Sequence, residues 1–175
     1  MKITIIRHFP TAGNLKKRYI GRTDEEICKI IEGLDYSYLK ASKVFVSPMK
    51  RALETADILF PEAEKIIIPG LREMDFGIFE NKNYKELTGN KDYRLWLNSY
   101  CEDKCPQGES RKEFYQRTVN ALIEIKELSM RLGLKEAVIV AHGGTAMVAG
   151  EKFGKSGTDY FDTKLNFGES ATFEI

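Results

Sequence analysis

Five short apolar runs punctuate the chain, at residues 2–7, 43–46, 65–68, 137–141 and 171–175. The first four are continuously apolar, which predicts strands covered on both faces. Helical patterns separate them. Ser47 is a candidate N-cap and Pro48 the first helical position of a helix that carries Ala52, Leu53, Ala56, Leu59 and Phe60 on one face and stops before Pro61. A long helix opens at Ser110 with Glu113 three residues on, the pattern of a capping box. It continues through Phe114, Thr118, Leu122, Ile125 and Leu132 at three- and four-residue spacing and ends near Gly133. Alternation of such runs predicts an α/β fold with three layers, a mostly parallel sheet with helices on both faces. Between residues 81 and 108 the periodicity is poor and the residues are charged or aromatic, among them Tyr84, Tyr93, Trp96 and Tyr100. This stretch is expected to form short helices and loops capping one end of the sheet.

The length of 175 residues matches one domain at roughly 100–200 residues each, so residues 1–175 are expected to share one core. Apolar residues at 42% and charged residues at 30% exclude a disordered or fibrous chain. A net charge of +1 gives no global attraction to nucleic acid or to an anionic membrane, so any basic site is local. The longest apolar runs fall far short of the ~20 residues that span a bilayer. Residues 1–8 read as a first strand and not as a signal peptide. Three cysteines, Cys28, Cys101 and Cys105, are an odd number in a chain too large to need staples, which points to the reducing cytoplasm. Cys101 and Cys105 lack further ligands nearby, so free thiols are expected and no metal or cofactor is implied.

The chain has two histidines, and each directly follows a predicted strand: His8 after residues 2–7 and His142 after residues 137–141. Ligands bind at the carboxyl ends of parallel strands. His142 leads into Gly143-Gly144-Thr145 and a helical pattern, so bare backbone N–H groups at a helix N-terminus lie beside an imidazole, the construction of an anion site. Lys50 and Arg51 stand in the first turn of a helix, where the macrodipole disfavours cations unless an anion is bound. Arg7, His8, Arg51 and His142 could therefore converge on one dianion, with arginine suited to two parallel hydrogen bonds with phosphate. Glu73, with Asp75 as its near rival, is the carboxylate delivered to the same edge, and an acid there could protonate a leaving alkoxide.

Arg7-His8-Phe9-Pro10-Thr11 with Asn14, the segment 21–24, the run from Ser47 to Ala56, residues 71–80, Gly108-Glu109-Ser110 and Val140 to Gly144 together resemble the histidine phosphatase superfamily, the phosphoglycerate mutase-like fold. The resemblance implies that His8 is the nucleophile and forms a phosphohistidine. It implies that Arg7, Arg51 and His142 clamp the phosphoryl oxygens and that Glu73 passes the proton. Asn14, Gly21, Arg22 and Gly143 join the substrate-binding set. It implies a metal-independent phosphomonoester hydrolase acting on a small phosphorylated metabolite. Length, the 21–24 segment and Pro106 to Ser110 resemble the α-ribazole phosphatases most, which implies α-ribazole 5′-phosphate as substrate and a place in cobalamin biosynthesis. The cap aromatics could stack on its heterocycle. A phosphoglycerate mutase-type phosphotransferase and a catalytically weak phospho-ligand-binding domain are the alternatives, and the oligomeric state stays open, a homodimer included. The family has Gly and then Glu where this chain has Phe9 and Pro10, a departure that predicts a reshaped phosphate loop. Asn81 replaces a family glycine, and Lys16, Lys17, Arg18 and Arg22 form a basic run near the first site loop.

Overall fold

The computed structural model describes residues 1–37 and 39–175. In chain order the principal elements are β1 (Lys2–Arg7), α1 (Ala12–Leu15), β2 (Lys43–Val46), α2 (Lys50–Leu59), β3 (Glu64–Ile67), α3 (Tyr84–Leu87), α4 (Lys91–Asn98), α5 (Arg111–Arg131), β4 (Glu136–Ala141), α6 (Gly143–Phe153) and β5 (Ser170–Glu174). The sheet runs β3-β2-β4-β1-β5. The first three neighbouring pairs are parallel, and β5 returns antiparallel along β1. The α/β architecture with a mostly parallel sheet is therefore the one the hydrophobic pattern predicts, with a single reversed strand at one edge.

Alternate side chains of the central strands face opposite layers. Val44, Val46, Val138, Val140 and Ile6 meet Ala52 and Ala56 of α2. Ile3, Ile5, Phe45 and Ile139 meet Leu122 and Ile125 of α5 and Ala146 and Ala149 of α6. Small residues on α2 and α6 let those helices lie close to strands of bulky β-branched residues. A third cluster joins Phe79, Tyr93, Trp96, Phe114 and Tyr160 beyond the sheet edge, and it is the floor on which the 81–108 segment sits.

The expectations differ from the structure at three places. β3 is an edge strand, with Ile67 51% exposed, so it is not covered on both faces. A short apolar run does not reveal which side of it lacks a neighbour. α2 starts at Lys50 with Met49 at its N-cap and no side-chain cap; Ser47 instead ends the β2 run and bonds across to β4. Of the four cap aromatics, Tyr93 and Trp96 are buried whereas Tyr84 and Tyr100 are exposed. The Ser110–Glu113 capping box is present as read, with reciprocal bonds at the start of α5. No helix among the described residues is long and apolar enough to cross a membrane.

Candidate active site

Three parallel strands end side by side, and the ladder continues one residue past each. The His8 N–H donates to the Ala141 carbonyl at 2.9 Å and the Ser47 N–H to the Val140 carbonyl at 3.1 Å. His8, Ser47 and His142 are thereby fixed as neighbours at the sheet edge, and the two imidazole rings stand 5.1 Å apart in an edge-to-face arrangement. Both rings are buried, at 4% and 0% exposure.

The tautomer of His8 follows from its partner. Nδ1 lies 2.6 Å from the Phe9 carbonyl oxygen, which can only accept, so Nδ1 carries the proton. Burial, then the Arg51 charge, push the His8 imidazole down to about 3, which keeps the ring neutral near pH 7. Nε2 therefore holds a lone pair. His142 is the mirror case: its Nε2 is 2.7 Å from the Ser47 hydroxyl, and its Nδ1 is buried with no partner. Burial and then Arg51 push its pKa well below the ordinary histidine value. With the Ser47 hydroxyl donating to Nε2, His142 presents an Nδ1–H to the site. Ser47 lies in a run read from sequence as a helix cap, and nothing local in the sequence signals this second role.

Two arginines flank the pair. Arg51 is wholly buried. Its guanidinium donates to the carbonyls of Thr23 and Gly21 at 2.9 Å, while Nε has no partner. Arg7 donates to the Leu165 carbonyl at 2.7 Å and stacks 3.8 Å over the Phe167 ring, again leaving Nε unpartnered. Burial pushes both guanidinium pKa values down and the Glu73 carboxylate draws them back up. Three buried N–H donors, from Arg7, Arg51 and His142, thus lack acceptors at one sheet edge where the N-terminus of α6 also ends. Unsatisfied buried donors are costly in a folded protein, and a bound dianion would satisfy all three.

Glu73 reaches this edge from the other side of β2. Arg117 holds its approach, donating to the Gly70 and Arg72 carbonyls at 2.9 Å and pairing with Glu109 at 2.6 Å. The Glu73 carboxylate accepts from the Met74 N–H at 3.0 Å and the Gly144 N–H at 3.2 Å. Gly144 permits this contact, since a Cβ there would fall 2.3 Å from the carboxylate. Asp75, the rival carboxylate, is turned to the Gly77 N–H at 2.8 Å and to Arg22 at 3.5 Å.

A cavity of about 350 Å³ opens beside these groups. Arg7, Glu73, Gly143 and Gly144 form one end, and Tyr19, Phe76, Trp96, Met147, Tyr160 and Phe161 form most of the other. Of the other expected site residues, His8, Arg51, His142, Asn14, Gly21 and Arg22 do not line it; Asn14 borders a neighbouring cavity with Arg7 and Phe167, and Arg22 one with Glu73 and Asp75. Asn14 closes a capping box with Thr11. The Gly21 N–H is taken by Glu80 at 3.1 Å and its carbonyl by Arg51, and a Cβ would fall 1.8 Å from the Met74 carbonyl oxygen. Glu80 also accepts from the Arg22, Thr23 and Phe76 N–H groups, which makes it the anchor of this loop. Arg22 is exposed, on the Asp75 side.

At Phe9, where the family has glycine, the backbone conformation does not require one. Phe9 has no positive φ, its side chain is fully buried, and its N–H donates to the Thr55 hydroxyl at 2.9 Å. The carbonyl that orients His8 is thus delivered by a residue anchored through its own ring. Asn81, where the family has glycine, sits at φ 58°, the left-handed region that asparagine tolerates better than other side chains.

Comparison with known proteins agrees with this geometry. Residues 3–163 match the family described as the histidine phosphatase superfamily (branch 1). A probable phosphoglycerate mutase, GpmB, of Escherichia fergusonii is 26% identical over 153 residues, covering 82% of this chain and 70% of that protein. The crystal structure of the alpha-ribazole phosphatase from Shigella flexneri superimposes with a TM-score of 0.80 at 22% identity, over 100% of this chain and 91% of that one. The phosphoglycerate mutase from Thermus thermophilus gives a TM-score of 0.72 at 26% identity, over 98% of this chain and 92% of that one.

Proposed function

Since the chain belongs to the histidine phosphatase superfamily, branch 1, we propose that it hydrolyses phosphate monoesters of small metabolites through a phosphohistidine on His8. The observation that carries this reading is the 2.6 Å bond from His8 Nδ1 to the Phe9 carbonyl, which leaves a bare Nε2 beside three donors without acceptors. In the first step Nε2 forms a bond to phosphorus as the ester P–O bond breaks, and Glu73 gives its proton to the departing alkoxide. In the second step water attacks phosphorus, Glu73 takes the water proton, and the P–N bond breaks to return the neutral imidazole and inorganic phosphate. Nδ1 keeps its proton throughout, because the Phe9 carbonyl accepts the hydrogen bond but is too weak a base to take the proton. Arg7, Arg51, His142 and the N-terminus of α6 bind the three equatorial oxygens, supplying donors fixed before the charge arrives.

Hydrolysis is favoured over phosphoryl return to a bound product. The likeness to the Shigella alpha-ribazole phosphatase supports this choice, whereas chain length does not, since the mutase-named Thermus thermophilus structure is matched over 92% of its own length. α-Ribazole 5′-phosphate is the leading candidate substrate, supported by the likeness to the Shigella enzyme and by the aromatic end of the cavity. The reducing cytoplasm is the compartment proposed, in keeping with three free cysteines.

The test is release of inorganic phosphate from p-nitrophenyl phosphate and from α-ribazole 5′-phosphate with excess chelator present, in wild type and His8→Ala. Chelator-resistant turnover that vanishes in His8→Ala supports the reading. Transfer between phosphoglycerates without net phosphate release would favour the mutase instead, and phosphate binding without turnover of any ester would reduce the protein to a phospho-ligand binder.

A further inference from the structure

A second cavity of about 350 Å³ shares Arg7 and Tyr19 with the one beside Glu73 and is lined further by Asn14, Lys17, Arg18, Tyr84 and Phe167. It adjoins a third of about 270 Å³, which shares Lys17 and Tyr84 and adds Lys16 and Lys85. The two form one trough that leads away from the phosphate end of the active site. Arg7, Lys16, Lys17, Arg18 and Lys85 line it, and no carboxylate does. This one-sidedness stands out in a chain whose Lys and Arg total 27 against 26 Asp and Glu.

The backbone assembles the trough from two distant segments. Lys17 takes φ 56°, in the left-handed region that a lysine seldom occupies, as its N–H closes on the Asn14 carbonyl at 2.9 Å past the end of α1. Arg18 pairs with Asn83 in an isolated antiparallel bridge. The Tyr19 N–H donates to the Lys82 carbonyl at 2.9 Å and the Asn81 N–H to the Tyr19 carbonyl at 2.8 Å. Residues 16–19 and 82–85 are thereby fixed as neighbouring walls, and the basic run of the first site loop meets Lys85 of α3. Most of its charge is unspent. Arg18 donates to the Asn81 side-chain oxygen at 2.9 Å and to Glu86 at 3.2 Å, yet its Nε is buried with no acceptor. Lys16, Lys17 and Lys85 form no ion pair among the described residues.

We propose that this trough is a second anion subsite, which takes a pyrophosphate-type anion with one phosphoryl group on Arg7 and the next among Lys16, Lys17 and Arg18, with Lys85 at the rim. Cations gathered without acids repel one another, and a bound oligoanion relieves that repulsion. A single phosphate is already served by the unpartnered donors of Arg7, Arg51 and His142, so the further cations match further negative charge. The proposal rests on the hydrolase reading only for what else occupies Arg7. Because the anion and the substrate phosphate both need Arg7, the anion excludes substrate and acts as a competitive inhibitor.

Calorimetry with methylphosphonate and methylenediphosphonate in metal-free buffer reads the subsite without turnover, since their P–C bonds are not hydrolysed. Exposed charge contacts contribute a few-fold each, so the diphosphonate is expected to bind about tenfold more tightly than the monophosphonate. It is also expected to inhibit p-nitrophenyl phosphate release competitively. In the triple variant Lys16→Gln, Lys17→Gln, Lys85→Gln the ratio of the two dissociation constants should fall to about threefold or less. The control triple Lys126→Gln, Lys135→Gln, Lys155→Gln removes as much charge outside both cavities and should keep the wild-type ratio. Equal affinities in wild type, a ratio that survives the trough variant, or an equal drop in the control would overturn the subsite. Noncompetitive inhibition would overturn the shared use of Arg7. A diphosphonate preference in a protein that turns over no phosphate ester would leave the subsite standing and reject the hydrolase reading, and turnover without the preference would do the reverse.

Discussion

The two ends of the cavity are built on opposite principles. At the phosphate end most groups are placed by the backbone: His8 by the Phe9 carbonyl, Glu73 by two N–H groups, Arg51 by the carbonyls of Thr23 and Gly21, with His142 held instead by the Ser47 hydroxyl. At the aromatic end the side chains place one another, ring against ring, with few hydrogen bonds. Backbone placement fixes position and protonation state together, as catalysis at phosphorus needs. Ring packing fixes shape but leaves identity free to vary, as recognition of a particular alcohol needs. Rate should therefore be concentrated at the first end and selectivity at the second.

The strongest way to break this contrast is to remove the proton carrier. Glu73→Gln keeps the size and the acceptor for the Gly144 N–H but cannot donate a proton. Loss of a general acid costs roughly 10²–10⁴-fold, so the single-turnover rate of leaving-group release from alkyl phosphates should fall by that range while first-turnover release of p-nitrophenolate, which needs no proton, loses far less. Equal losses on both esters would remove Glu73 from the acid role. His142→Ala comes next: loss of one preorganised donor to a transition-state oxygen costs about 10²–10³-fold in kcat, to be read by steady-state kinetics with little change in which alcohol is preferred. Ser47→Ala should cost about tenfold, since it frees the tautomer of His142 without removing the ring, and about 1 kcal/mol of stability from one net hydrogen bond. Because Ser47 acts through His142, its loss should lower kcat more than it raises KM, and double replacement with His142→Ala should cost no more than His142→Ala alone.

The smallest effect concerns pH. His8 is held down to about 3, by burial first and Arg51 second, and His142 is lowered for the same reasons. In the unfolded chain both take up protons as pH falls through about 6.5, whereas the folded protein does not. The contribution is present in full above pH 6.5 and is lost as pH falls from there toward 3. Proton NMR of the free protein, with two histidines to follow, should show no imidazole titration between pH 8 and 5, and thermal stability should begin to decline only below about pH 6.5. A histidine titrating near 6.5 would mean that the site is wetter than the structure makes it.

Much of the phosphate end was legible in the sequence because it follows from local rules. Two histidines stand directly after strands, a Gly-Gly opens a helix, and an arginine occupies a first turn where it should not be comfortable without an anion. The limits of β1 and β2 and the Ser110 cap followed from apolar runs and one short motif. What escaped depends on contacts between distant residues. Ser47 looks like a cap until β2 and β4 are paired, and Phe167 gives no sign that it lies under Arg7. Glu80 anchors the 21–23 loop from more than fifty residues away and Arg117 holds the approach to Glu73; both are ordinary charged residues in sequence. Gly21 and Arg22 join the substrate-binding set by motif alone, and no local pattern signals that Gly21 is bonded to Glu80 and Arg51 or that Arg22 faces Asp75. β3 read as a covered strand because composition carries no information about which strand stands at an edge.

The central claim is that His8 Nε2 takes the phosphoryl group, and it is tested most directly by trapping that species. Glu73→Gln mixed with p-nitrophenyl phosphate should form the phosphohistidine, because the leaving group departs unaided, and should hydrolyse it slowly, because no base activates water. After an alkaline quench, peptide mapping should find one phosphoryl group on the peptide that contains His8, and phosphorus NMR should place it on Nε2. Phosphate on Nδ1 or on His142, or continued turnover with His8 unmodified under single-turnover sampling, would contradict the account.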